Sequence, residues 1–382
     1  MRLVVNSQMF SMRWLVRSSA LLLSALMLIS CSQDAQESVA SANAAGPQEV
    51  EYEWKMITAW PRNLPALGTN PVYFAELVEQ MSNGRMTIEV FGANELVSGL
   101  EVFDAVSQGV AELGNAASYY WQGKVPGAAF FASVPFGMTA KELNGWLEFG
   151  GGKELWQELY APFNLIPVRS GNSGTQMFGW FNKEINSLAD VQGLKMRIPG
   201  LGGEVMNRAG ATTITMQASD VFTAMQTGAL DATEFVSAYN DLAAGYHTVA
   251  DYYYYPGWHE PGSALETLIN KERFEALPSD LQAIILTAAE ASNQRLLDEF
   301  TARNNEALRV LVEEHDVELR RLPDDVLVEL RRLSDEVVAE MASTNAMTQR
   351  IYDSYRTFQE GVENYHSVAE EAFIEARKLT SD

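Results

Sequence analysis

The chain has 382 residues and a formal net charge of −23, with 50 acidic and 27 basic residues. So large a negative charge argues against nucleic acid or an anionic bilayer as a partner, because both require basic patches. One cysteine, Cys31, allows no internal disulfide bond. The roughly 330 residues after the N-terminal fifty exceed one comfortable hydrophobic core, which predicts two lobes.

The N-terminal residues have the composition of an export signal. Residues 1–30 contain three arginines and no acidic residue, and they end in the apolar run ALLLSALMLIS before Cys31. This run is too short to span a membrane comfortably, so a signal peptide is predicted. Residues 28–31 match a bacterial lipobox, which predicts a lipidated Cys31; cleavage near Ala44 is the alternative. Residues 31–50 are small and polar, as in a flexible tether.

Strand and helix signals alternate in residues 51–163, the predicted first lobe. EWKMITAW and RMTIEVFG read as strands, and VYFAELVEQMSNG between them reads as a helix that ends at Gly84. The helical GLEVFDAVSQG and the strand-and-loop segment AELGNAASYYW follow. This alternation predicts an α/β lobe with a largely parallel sheet.

Residues 164–264 are predicted to form a second α/β lobe. NLIPVRSG, QMFGWFN, LKMRIPG, TTITMQ and ALDATEFVS read as strands, with helices at GEVMNRAG and SDVFTAMQTG. The glycine- and proline-rich segment YYYYPGWHEPG is predicted to be a rigid loop. SALETLINKERFEAL then begins with a strand that crosses back to the first lobe, so return segments are expected after about residue 265.

The remaining chain, within residues 265–382, is predicted to be helical after about residue 278. A long helix follows Pro278 and Ser279, and a second follows LPDD. The last helix, at residues 345–378, carries an aromatic stripe that either packs on its own lobe or forms a dimer interface.

Three charged residues of the second lobe are candidates for a site. Arg197 stands near the end of a predicted strand, where ligands bind in α/β lobes, and a guanidinium suits a carboxylate. Glu234 ends another strand, and Glu260 lies in the rigid loop. The two glutamates could coordinate a hard cation with the Gln176 side chain, could act as the acid and base of a hydrolase, or could be solvated surface groups.

GLKMRIPG, AGA and TMQASDVFTAMQTGALDATEF, across residues 193–234, occur in the order of a known family pattern. They resemble the extracytoplasmic solute-binding subunits of tripartite ATP-independent periplasmic (TRAP) transporters. The resemblance extends over about residues 50–375. ASYYWQGKVPGAAFF, NSGTQMFGWFNKEI and YNDLAAGYHTVADYYYYPGWHEPG are similar to the branch that binds 2-oxo acids with a metal ion. The resemblance implies a periplasmic binding protein and not an enzyme.

The resemblance also implies site residues. Arg197 is expected to pair with the substrate carboxylate, and a cation is expected among Gln176, Glu234, the carbonyl of Phe235 and Glu260. The branch is expected to have Trp at the position of Phe235 and, in sodium-binding relatives, Gln at the position of Glu260. The additional carboxylate of Glu260 therefore predicts Ca²⁺ in preference to Na⁺.

Three further residues are weaker candidates for contacting the substrate. Tyr119 and Tyr120 are placed to reach the ligand from the first lobe if the lobes close. Asn240 is an equally weak candidate for a substrate contact. The alternative within the family is a C4-dicarboxylate or sugar acid bound without metal, with Arg169 and Arg208 available for a second carboxylate.

The fold class that follows is α/β, a two-lobed fold like that of type II periplasmic binding proteins, with a long helical C-terminal extension. The expected partners are a small organic acid anion and the TRAP membrane permease subunits. In the 2-oxo acid branch the C-terminal helix is exchanged between subunits, so the resemblance implies a homodimer.

Overall fold

The computed structural model describes residues 50–379, which form two β-sheets and a set of helices around them. The predicted signal peptide, Cys31 and the tether before residue 50 lie outside the described residues. Among the helices of residues 50–379, none combines the length and the hydropathy that a membrane crossing requires.

The strands within residues 50–379 range in length from two to eight residues. In chain order they are β1 (Tyr52–Thr58), β2 (Met86–Phe91), β3 (Leu113–Ala116), β4 (Leu165–Asn172), β5 (Gly179–Phe181), β6 (Lys195–Arg197), β7 (Thr212–Ile214), β8 (Ala232–Thr233), β9 (Tyr252–Tyr255), β10 (Ala264–Asn270) and β11 (Glu318–Arg321).

The helices flank these sheets and dominate the C-terminal third of the chain. They are α1 (Thr69–Met81), α2 (Val102–Ser107), α3 (Ala140–Phe149), α4 (Gly152–Tyr160), α5 (Gly200–Arg208), α6 (Ala218–Gln226), α7 (Ala238–Ala244), α8 (Lys271–Glu275), α9 (Ser279–Glu313), α10 (Asp324–Ala342), α11 (Ala346–His366) and α12 (Ala372–Arg377). Short 3₁₀ turns include Gly99–Glu101, Ser118–Trp121 and Pro126–Phe131.

The first sheet has the strand order β2-β1-β3-β10-β4. β1 runs parallel to β2 and β3, whereas β10 runs antiparallel to β3 and β4. Every residue of β3 and β10 is buried, as expected for central strands covered by helices on both faces. We call this sheet with its helices the first lobe.

The second sheet has the strand order β11-β9-β5-β8-β6-β7. β6 is parallel to β7 and β8, whereas β5 is antiparallel to β8 and β9. We call this sheet with its helices the second lobe. Each sheet therefore has one strand that runs against all the others, β10 in the first and β5 in the second, and the prediction of largely parallel sheets is confirmed.

The predicted boundary between the lobes at residue 164 was wrong. β4 lies in the first sheet, where it pairs with β10 from Leu165↔Asn270 to Asn172↔Ala264. This pairing joins segments about a hundred residues apart, and nothing in the local pattern of β4 identifies its partner. The second lobe therefore begins after Asn172.

Two strands of the second sheet occur where loop or helix was predicted. β9, at the start of the predicted rigid loop, pairs with β5 and β11. β11 has the polar sequence ELRR at the sheet edge and interrupts the region predicted to be helical. A strand at the exposed edge of a sheet needs few hydrophobic residues, so its sequence shows little of the alternation that identifies strands.

The long α9 connects the two lobes. Its 35 residues extend about 50 Å, and it contacts β4 and α1 of the first lobe and α7 of the second. α10 packs on α5, whereas α11 packs on α4 and Pro126–Phe131 of the first lobe. Tyr355 of the aromatic stripe is buried against the first lobe. Its hydroxyl accepts a hydrogen bond from the backbone N–H of Met138 at 2.8 Å.

Candidate ligand and metal site

Arg197 and Glu234 lie side by side at the carboxyl ends of parallel strands. β6 ends at Arg197, and Glu234 directly follows β8, whose Thr233 is the register partner of Arg197. The backbone N–H of Glu234 donates to the carbonyl of Arg197 at 3.0 Å. The strand ends thus place an arginine and a carboxylate at the edge where α/β folds bind ligands.

The guanidinium of Arg197 is 1% exposed and is fixed by several acceptors. Its Nη1 donates to Oε1 and to the carbonyl of Glu234, both at 3.0 Å, and its Nε donates to the carbonyl of Met216 at 3.1 Å. Its Nη2 contacts the Tyr120 hydroxyl at 3.5 Å. Nη2 is therefore the nitrogen with the weakest protein contact, and it is the one suited to an external carboxylate.

Gln176 and Glu260 are brought together by backbone pairing. The N–H of Gln176 donates to the carbonyl of Glu260 at 3.1 Å, and its Nε2 donates to Glu260 Oε2 at 2.7 Å. Two glycines allow this close packing. A Cβ on Gly257 would lie 2.1 Å from the carbonyl oxygen of Gln176, and one on Gly179, whose φ is +127°, would lie 2.3 Å from that of Thr233.

Two oxygens of this cluster are buried and unsatisfied. Gln176 Oε1 and Glu234 Oε2 have no hydrogen-bond partner within residues 50–379. Glu234, His259 and Glu260 also form the one group of three or more metal-ligating side chains in that part of the chain, with ligand atoms within 4.8 Å of one another. Buried unsatisfied oxygens are costly, and oxygen donors are what hard cations prefer. The residues therefore fit a cation.

Burial shifts the ionisation of both carboxylates. It raises the pKa of Glu260 to about 7, although the Ser263 hydroxyl, the Arg197 charge and the Tyr119 hydroxyl oppose the rise. Burial also raises the pKa of Glu234 well above its usual range, against the attraction of Arg197, and Glu260 adds to that rise. A cation between the two groups would favour their charged forms.

His259 is a site residue that the sequence analysis missed. Its Nε2 lies 3.7 Å from Glu234 Oε2, and burial and the Arg197 charge lower its pKa to about 3, so the ring is neutral. Neither ring nitrogen has a hydrogen-bond partner among the described residues. The one sequence feature that points to His259 is its position directly before Glu260, because the histidines of the sequence lack the spacing of a zinc site.

A narrow cavity lies between the lobes beside this cluster. Residues of both lobes contribute to its wall: Trp60, Leu67, Tyr119, Tyr120, Ser173, Gln176, Arg197, Phe235, Val236, Ser263 and Leu265. The structure therefore places Tyr119 and Tyr120 at the same cavity as Arg197. Burial raises the pKa of both phenols, so they remain neutral.

Three other candidate residues lie away from the cavity wall. Asn240 is buried, and its Nδ2 donates to the carbonyl of Pro65 at 2.6 Å, so it joins the lobes near the cavity. Arg169 is paired with Glu290 and Arg208 with Glu340 on the protein surface. The two arginines are thus unavailable for a second substrate carboxylate, and the proposed basis for a dicarboxylate was wrong.

Comparison with known proteins finds relatives that cover most of the chain. Residues 57–345 match the family described as bacterial extracellular solute-binding protein, family 7. The chain is 43% identical over 301 residues, 78% of its length and 80% of the relative's, to a monocarboxylate 2-oxoacid-binding periplasmic protein of Nostoc.

Two solved structures of TRAP solute-binding proteins are also similar. The protein from Pseudoalteromonas atlantica, with bound sodium and pyruvate, is 39% identical with a TM-score of 0.83, over 85% of this chain and 99% of the other. The protein from Bordetella bronchiseptica, a mixed occupancy dimer with calcium and picolinate, is 33% identical with a TM-score of 0.84, over 86% and 98%.

Proposed function

Because this chain belongs to the bacterial extracellular solute-binding proteins of family 7, which serve TRAP transporters, we propose that it binds a small 2-oxo or 2-hydroxy monocarboxylate together with a metal cation. It releases this acid to the membrane permease. The supporting observation is the pair of unsatisfied buried oxygens, on Gln176 and Glu234, next to a buried arginine in a small cavity.

The proposed site divides the recognition of the acid between two groups. Arg197 Nη2 donates to the carboxylate, while Nη1 and Nε hold the guanidinium in place through Glu234 and Met216. Tyr119 and Tyr120 form the wall on the side of the first lobe. Pyruvate and picolinate, the acids in the two similar structures, each carry a donor atom next to the carboxylate. This shared chemistry suits chelation.

The residues that would hold the cation are Gln176 through Oε1, Glu234, Glu260 and the carbonyl of Phe235. When bound, the cation supplies positive charge to the carboxylate and the adjacent 2-oxygen of the acid. Phe235, in place of the expected Trp, leaves a backbone ligand unchanged and alters only the wall.

Formal charge favours Ca²⁺ over Na⁺ in this chain. Arg197 neutralises Glu234, His259 is neutral, and Glu260 and the acid carboxylate leave two negative charges. One divalent cation neutralises them, whereas one sodium ion leaves a buried negative charge, which is costly. A Gln at the position of Glu260 would reverse this preference.

Calorimetric titration with pyruvate, lactate, 2-oxobutyrate and succinate tests the ligand class. Each acid is titrated in EDTA and again after Ca²⁺ or Na⁺ is restored. We expect binding of the 2-oxo and 2-hydroxy acids with Ca²⁺ and none of succinate. Tight binding of succinate in EDTA would contradict the proposal and leave only the family assignment.

We also infer that two copies of the chain associate through the C-terminal helices. Large apolar side chains are exposed there, with Phe373 62% and Phe149 on the neighbouring first lobe 89% exposed. The exposed set also includes Tyr365, Val368, Ile374 and Leu379. A hollow lined by Gly150, Phe358 and Val362 lies along the same helix. A patch of this kind is typical of a protein interface.

Light scattering after gel filtration tests the dimer. The wild-type chain should be a dimer at micromolar concentration, and Phe373→Asp combined with Ile374→Asp should make it monomeric. Val328→Asp, at an equally exposed position on α10, is the control and should remain dimeric. A monomeric wild-type protein would refute the inference.

The location of the protein follows from its family, which is periplasmic, and Cys31 adds the proposal of a lipid tether. The wild-type chain should then sediment with membranes of the expressing bacterium, and Cys31→Ser should release it to the soluble periplasmic fraction. Equal distribution of the two forms would exclude the lipid.

A further inference from the structure

A second contact between the lobes lies outside the cavity wall and centres on Gln217. Gln217 directly precedes α6 of the second lobe. Its Oε1 accepts hydrogen bonds from the Ser98 hydroxyl and from the backbone N–H of Gly99, both at 3.2 Å. Ser98 and Gly99 belong to the loop after β2 in the first lobe. One side-chain oxygen therefore receives two donors from the opposite lobe.

The position of Gln217 is linked to the ligand-binding arginine. The carbonyl of the preceding residue, Met216, accepts a hydrogen bond from Arg197 Nε at 3.1 Å. At its other end, Gln217 Nε2 donates to Asp220 Oδ2 at 2.9 Å. Arg197 thus fixes the backbone next to Gln217, and Asp220 of its own helix fixes its side chain.

The first-lobe side of the contact is also well ordered by local hydrogen bonds. Ser98 caps the 3₁₀ turn Gly99–Glu101, because its hydroxyl accepts from the N–H of Leu100 at 3.4 Å and its own N–H donates to Glu101 Oε2 at 3.1 Å. Preorganised partners lose little entropy when they meet, so such a contact stabilises the closed arrangement efficiently.

The cavity explains why this contact matters for binding. Its wall contains residues of both lobes, and Arg197 is buried, so an acid can enter or leave only when the lobes separate. Separation must break the hydrogen bonds of Gln217. The contact is therefore present when the ligand is enclosed and lost at the moment of release.

We propose that Gln217 is a positioning residue that holds the lobes closed over the ligand and sets the rate of its release. It does not touch the ligand, and it acts through Ser98 and Gly99. The inference rests on the proposed function, since it needs an enclosed ligand. It predicts that Gln217 affects the dissociation rate, while encounter with the open protein is independent of it.

Stopped-flow measurement of pyruvate binding in Ca²⁺ tests this with Gln217→Ala. Loss of two hydrogen bonds should raise the dissociation rate about tenfold, with the association rate within about twofold of wild type. Gln294→Ala is the matched control, because Gln294 also donates to an aspartate of its own helix, Asp298, at 2.8 Å, without a contact across the lobes. It should leave both rates unchanged.

A double-mutant cycle distinguishes the contact from a local defect. In the Gln217→Ala background, Ser98→Ala should add little to the dissociation rate, because the shared hydrogen bond is already absent. The ligand-free melting temperature of Gln217→Ala should match that of Gln294→Ala. Unchanged dissociation in Gln217→Ala, or effects of the two substitutions that simply add, would overturn the proposal while the proposed function stands.

A cross-linking experiment tests the contact between the lobes even if none of the acids binds. Asn94 Nδ2 donates to the Ser219 hydroxyl at 3.2 Å beside the Gln217 contact, and both residues are exposed. Asn94→Cys with Ser219→Cys, in a Cys31→Ser background, should form an intramolecular cross-link with a short bifunctional thiol reagent. Failure to form it would overturn closure at this edge, independently of which ligand the protein carries.

Discussion

A lone buried acid in the first lobe and a pair of buried acids in the second differ in their surroundings. Glu266, on β10 of the first lobe, accepts hydrogen bonds from Trp121 Nε1 at 3.0 Å and from the Tyr160 hydroxyl at 3.4 Å, and it has no cationic partner among the described residues. In the second lobe, Glu234 and Glu260 lie beside Arg197 and a cavity.

This difference separates buried carboxylates that fit a ligand site from one that fits the protein core. Burial raises the pKa of Glu266 well above its usual range, and the donors Tyr160 and Trp121 oppose the rise only partly. A single isolated acid can remain neutral and serve the core. Two acids with an arginine, converging with an amide oxygen on one space, fit a cation instead. Convergence, and not burial alone, identifies the site.

The largest effect is expected from Arg197→Lys. A lysine cannot donate to Glu234, to Met216 and to a ligand carboxylate in the geometry of a guanidinium. We expect pyruvate affinity to fall roughly a hundredfold or more, on the scale of charge-assisted hydrogen bonds. Arg208→Lys, at a surface ion pair, is the control. Equal affinities of the two variants in calorimetry would remove Arg197 from the site.

Glu260→Gln should change the preferred cation. Removal of one negative charge from the site should lower Ca²⁺ affinity by roughly thirtyfold, as for a close buried charge pair, and should let Na⁺ support pyruvate binding. Titration of pyruvate at fixed Ca²⁺ or Na⁺ measures both. Retained preference for Ca²⁺ would show that Glu260 is not a ligand.

Ligand binding should also depend on pH through Glu260. Its pKa is raised to about 7 without a cation, so below pH 7 a proton must leave before a cation can bind, and affinity should fall by up to about tenfold per pH unit. The Glu260→Gln variant should lack this slope between pH 5.5 and 7; an identical slope would assign it to another group.

The smallest effect on binding is expected at Glu266. Glu266→Gln keeps an acceptor for Trp121 and Tyr160, so pyruvate affinity should stay within about twofold and stability within about 1 kcal/mol. Glu266→Leu leaves both donors unpaired and should lower the free energy of unfolding by about 2 kcal/mol. Chemical denaturation and calorimetry measure these values. A large loss of affinity in Glu266→Gln would abolish the distinction between Glu266 and the pair Glu234 and Glu260.

The sequence predicted the part of the site that depends on strand ends. Arg197 and Glu234 each follow a short apolar run, and parallel strands of one lobe bring such positions together. The residues also made Gln176 and Glu260 candidates, but their contact depends on the close backbone approach at Gly257, which no local pattern shows. His259 has no pattern of its own.

The fold was predicted less completely where pairing is distant in the chain. The apolar run of β4 indicates a strand, but its place in the first sheet depends on β10, about a hundred residues later. The polar edge strand β11 has no hydrophobic alternation to reveal it. The Gln217 contact joins two loops whose approach depends on how the lobes close, and no local signal contains that information.

Titration of Ca²⁺ into metal-stripped protein, followed by titration of pyruvate, tests the central claim most directly. The converging oxygens of Gln176, Glu234 and Glu260 predict one Ca²⁺ per chain, and pyruvate binding only after Ca²⁺ is added. Glu234→Gln should lose both signals. Pyruvate binding of equal affinity to the stripped and the Ca²⁺-loaded protein would contradict the account.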